Sequence, residues 1–78
     1  MNKEYLYDKF QEAKIEKCGI AIELTVPTRE ASEVILTRFA NLDYKLDYYL
    51  KNYNDNLELI RCPDVKILSI KTVDFTDL

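Results

Sequence analysis

Seventy-eight residues, 47% apolar and 32% charged, with one glycine, two cysteines and no histidine or tryptophan, describe one small domain, 1–78, of formal net charge −3. A chain of this size buries only about 60% of the surface its unfolded form exposes, so one modest core is the limit and a deep, dry cleft is not expected. The apolar fraction is too high for intrinsic disorder, and no apolar run approaches the roughly 20 residues that span a bilayer. No apolar signal segment follows Met1, which makes the cytoplasm the expected compartment.

Residues 2–17 are rich in good helix formers and contain neither proline nor glycine. Leu6, Phe10 and Ala13 recur at spacings of four and three and form the apolar face, with Tyr5 and Tyr7 at its margins. Asn2 is the expected N-cap. Gly19, the only glycine, is expected at the left-handed position that ends this helix. The period then switches to two: Ile20, Ile22, Leu24 and Val26 alternate with Ala21, Glu23 and Thr25, as in a half-buried strand that Pro27 stops. A polar connection over 28–32 leads to a second strand, Val34 to Thr37, paired with the first as an antiparallel hairpin.

A second helix is expected from Asn41, as its cap, to about Tyr53. Leu42, Leu46, Tyr49, Leu50 and Tyr53 line one side of it, the kind of stripe that docks on a sheet. Asp43 in its first turn and Lys51 in its last suit the helix dipole, and Asn54-Asp55-Asn56 supplies turn chemistry to end it. A third strand is expected over 57–62, a tight turn at Cys62-Pro63-Asp64-Val65, and a fourth strand over 65–73. Alternation in this last strand is broken, because Val65 and Ile67 share one face and Leu68 and Ile70 the other. Either a bulge near Leu68 shifts the phase or both faces are covered. An acidic, frayed tail is expected over 74–78. The order α-β-β-α-β-β gives the α+β class, a two-layer sandwich with both helices on one face of a mainly antiparallel four-stranded sheet.

Little in this pattern carries chemistry. Without histidine the chain lacks the one side chain that titrates near neutrality unaided. Cys18 and Cys62, alone, cannot complete the four nitrogen or sulfur ligands of a structural zinc, and they are expected to be reduced, partly buried thiols. One glycine cannot furnish a GxxxxGK, GxGxxG or GxSxG motif. No Asp-x-Asp-x-Asp-Gly calcium loop is present. Asp43 and Asp47 share a helix face but read as a solvated pair, since acid–base work needs a dry pocket to push two carboxyls apart. The sequence therefore implies no enzyme, no cofactor and no metal.

Six tyrosines in so short a chain are the compositional oddity. Tyr49 and Tyr53 belong to the core stripe. Tyr44 and Tyr48 stand one turn apart on the opposite side, beside Asp47 and Lys51, and these four residues are the candidate protein interface. An exposed Tyr pair also arises from simple i, i+4 packing. Stacking on single-stranded nucleic acid through Tyr44, Lys45, Tyr48 and Lys51 is disfavoured by Asp43 and Asp47 beside them. Charge is spread evenly along the chain, without the clustered cations of a nucleic-acid footprint.

The run Asn41-Leu42-Asp43-x-Lys45-Leu46-x-Tyr48-Tyr49-x-x-x-Tyr53-Asn54-Asp55-x-Leu57-x-Leu59, followed by Val65-x-Ile67, resembles small proteins of phages and prophages of low-GC Gram-positive bacteria. The resemblance spans residues 33–70, about half the chain, and involves no catalytic signature. It implies a phage or prophage accessory protein that binds a host protein, such as a CRISPR or restriction effector. The alternatives are self-association into a homodimer, through the same tyrosines or a sheet edge near 65–73, and, less favoured, a nucleic-acid accessory role.

Overall fold

The computed structural model describes residues 1–28 and 30–74. Helix α1, Lys3–Glu16, begins where the Asn2 side chain accepts a hydrogen bond from the Tyr5 N–H at 2.9 Å. That bond satisfies one of the orphan amides of the first turn. Leu6, Phe10 and Ala13 are its buried face, as their spacing requires.

The helix does not end on Gly19. Lys17 takes the left-handed conformation, φ 57°, and its N–H and that of Cys18 close the last turn on the carbonyls of Lys14 and Ala13. Gly19 has no positive φ; it is the buried first residue of strand β1, Gly19–Leu24. The chain has to enter the sheet at once, so the reversal falls two residues before the glycine, on a lysine whose side chain remains in solvent.

Strand β2, Glu33–Thr37, pairs antiparallel with β1, from Ile20 opposite Thr37 to Leu24 opposite Glu33. A single 3₁₀ turn, Phe39–Asn41, then leads into helix α2, Leu42–Asn52. The expected Asn41 side-chain cap is not made. Asn41 sits at φ −109°, ψ 7°, continuing the 3₁₀ turn instead of adopting the extended backbone of a cap, and its N–H bonds to the Arg38 carbonyl. The two helices are antiparallel: Lys14 near the end of α1 meets Asp43 at the start of α2, while Lys3 Nζ donates to the Leu50 carbonyl at 3.0 Å.

Asn54 organises the next reversal. Its side-chain oxygen accepts from the N–H groups of Asn56 and Glu58, and its backbone N–H donates to the Glu58 carbonyl. Leu57 completes the loop at φ 59° while its side chain stays buried. Strand β3 is consequently only Glu58–Leu59, shorter than the expected 57–62. The turn is not at 62–65 either. Leu59 pairs with Cys62, so Ile60 and Arg61 form the hairpin loop, and strand β4, Cys62–Val73, already contains Pro63. Since Glu58 pairs with Lys66, residues 63–65 are extra on β4 and bulge out. A proline with no N–H to give is tolerated in such a bulge. Thr25 pins it from the other side: its hydroxyl donates to the Asp64 carbonyl and accepts from the Lys66 N–H.

The sheet is antiparallel throughout, in the order β2-β1-β4-β3. The broken alternation in β4 has its cause in the pairing. Glu23 lies opposite Ser69 but Leu24 opposite Ile67, so Leu68 is the inserted residue of a bulge. The phase shift turns both Ile67 and Ile70 inward, and Leu68 is exposed. One core results, joining Leu6 and Phe10 of α1, Leu42, Leu46 and Tyr49 of α2, and Ile20, Ile22, Leu24, Ile67 and Ile70 from one face of the sheet. The domain is thus an α+β two-layer structure with its second sheet face bare. Apart from Asp74, the tail expected over 74–78 lies outside the described residues.

Candidate functional site

The buried stripe of α2 turns Tyr44, Tyr48, Asp47 and Lys51 away from the core, and the structure leaves these four on its outward side. They do not behave alike. Tyr44 is 76% exposed. Tyr48 is 42% exposed, its ring edge-on to Tyr49 at 5.3 Å and 6.4 Å from Tyr53. The cluster continues inward, with Tyr49 at 5.3 Å from Tyr53 and 6.2 Å from Phe10. Tyr48 is therefore the outer member of a packed aromatic group, held in orientation by its neighbours, whereas Tyr44 projects into solvent.

The charges are also arranged. Lys51 Nζ is 3.0 Å from the Asp47 carboxylate, an exposed i, i+4 pair that cancels the local field. Lys45 Nζ lies 5.7 Å from the Tyr48 ring centroid, within cation–π range. Sequence reasoning grouped Lys45 only with a nucleic-acid platform; its position relative to Tyr48 fixes it instead as part of that tyrosine's surroundings.

The buried end of the cluster is chemically inert. Burial raises the Tyr49 hydroxyl well above the ordinary tyrosine range, with smaller contributions from Tyr53 and Tyr48, and burial raises Tyr53 in the same direction. Neither is an acid or base near neutral pH.

Away from α2, a shallow depression of about 310 Å³ lies between the end of α1 and the 3₁₀ turn, bordered by Cys18, Gly19, Arg38 and Phe39. The Cys18 thiol is pushed up by burial first and by the Glu16 carboxylate second, and its sulfur lies 3.7 Å from that carboxylate. A thiol raised in this way is a poor nucleophile. Both cysteines are free and half-buried. Among the described residues, no three Cys, Asp or Glu groups come together as a metal cluster would require, and no helix is long and apolar enough to cross a membrane.

The bare face of the sheet and its β2 edge were not resolved by sequence reasoning. Val34 and Leu36 of β2 are 60% and 50% exposed on the face away from the helices. Between strands on that face the Glu23 carboxylate accepts from the Ser32 and Ser69 hydroxyls. The signal was present in Val34-Ile35-Leu36, three consecutive apolar residues where a half-buried strand should alternate. β3 covers β4 only at Cys62 and Lys66, with the Ile67 N–H bonded to the Leu57 carbonyl, so beyond Ile67 the outer side of β4 is an open edge, as expected near 65–73, and β2 is the edge at the other end of the sheet. No family model, no curated protein and no solved structure matches the chain.

Proposed function

We propose that the chain is a non-enzymatic protein-binding domain that engages its partner through the outward side of α2, with Tyr44 and Tyr48 as anchors and Asp47 and Lys51 at the rim. The observation that supports this reading is the pairing of unlike tyrosines: Tyr44 is 76% exposed, and Tyr48 is held by its ring contacts to Tyr49 and Tyr53. Tyrosine offers large contact area at little entropic cost, and an anchor already fixed in orientation loses less freedom on binding. The Asp47–Lys51 pair provides a charged border that is internally neutral.

The partner in this reading is a host protein in the cytoplasm of an infected or lysogenic bacterium, of the class of CRISPR or restriction effectors. That part rests on the resemblance of residues 33–70 to phage and prophage proteins. Affinity capture from a Gram-positive lysate, comparing wild type with Tyr44→Ala and with Tyr44→Ala/Tyr48→Ala, tests it. The expected result is loss of a defence nuclease from the captured set with Tyr44→Ala alone, which leaves the core untouched. Identical captured sets for all three proteins would overturn the reading.

A further inference from the structure

We draw no further inference here: the strongest candidate, the shallow depression of about 310 Å³ between the end of α1 and the 3₁₀ turn, carries nothing, because Arg38 and Asp74 on its wall already have partners and nothing in the structure shows what would occupy it.

Discussion

Lys14 Nζ lies 2.6 Å from the Asp43 carboxylate and ties the last turn of α1 to the first turn of α2. At the far end of the same helix pair Lys3 Nζ reaches the Leu50 carbonyl, so the antiparallel helices are clamped at both ends. The Asp43 side chain is largely in solvent and that of Lys14 partly so, which limits what the pair contributes. Asp43→Asn should lower stability by about 0.2–1 kcal/mol, and high salt should shrink the difference. A double-mutant cycle with Lys14→Met, followed by urea denaturation, measures the coupling.

Thr37 is 3% exposed, and its hydroxyl is the one buried side-chain N or O among the described residues without a hydrogen-bond partner. It faces the core opposite Ile20. Replacing an unpaired buried hydroxyl by a methyl of similar shape removes a desolvation penalty. Thr37→Val should therefore stabilise the fold by about 1 kcal/mol. A thermal midpoint below that of wild type would contradict this account of the site.

Among the described residues, two other than glycine share left-handed backbone geometry, Lys17 at φ 57° and Leu57 at φ 59°. Their glycine variants should move stability in opposite directions. Lys17→Gly relieves the Cβ clash at an exposed helix end and should gain up to about 1 kcal/mol. Leu57→Gly relieves the same clash but removes a wholly buried side chain and should lose about 2–5 kcal/mol. Denaturant midpoints of the two variants check both signs.

The raised Tyr49 and Tyr53 hydroxyls imply an alkaline weakness. In the unfolded chain both tyrosines ionise near the ordinary value of 10.0, while in the fold burial keeps them protonated to higher pH. The unfolded state thus sheds protons first, and stability falls as pH rises above that ordinary value. Tyr49→Phe/Tyr53→Phe should flatten the decline between about pH 9 and about pH 11, read as urea midpoints across that window.

Asn54 carries three hydrogen bonds with its side chain alone, to Asn56, Glu58 and the Glu58 carboxylate. Asn54→Ala should destabilise the chain by about 1–3 kcal/mol and loosen the junction of α2 with β3 first. Amide exchange at Glu58 and Ile67, whose N–H bonds depend on that loop, should rise before exchange at Ile22.

Much of the fold was legible because burial enforces period. The faces of both helices and the β1–β2 hairpin follow from where apolar residues recur, and the Asn2 cap follows from its side-chain oxygen; the broken alternation near Leu68 was visible, but whether a bulge or a doubly covered strand caused it was left to the pairing. Punctuation was harder to read. A lone glycine suggested a left-handed helix end, yet the hydrogen-bonded closure placed that conformation on Lys17. Pro63 suggested a turn, yet the loop built by Asn54 brought Leu59 to Cys62 and moved the reversal to Ile60-Arg61. At the candidate site, the outward placement of Tyr44 and Tyr48 came from helical spacing, but their inequality did not. Tyr48 is oriented by Tyr53, which lies beyond the last helical turn in an extended conformation that periodicity does not describe.

The sheet order has a consequence for how the chain comes to be folded. β1 is flanked by β2, its neighbour in sequence, and by β4, which is made some forty residues later. Until β4 has emerged from the ribosome, β1 has a partner on one side only, and α1 lacks Ile67 and Ile70 from the surface it covers. Nascent chains ending near Arg61 should remain open to proteases and to chaperones that bind exposed apolar segments. Closure is then a single late event, slowed by the long loop between the two central strands.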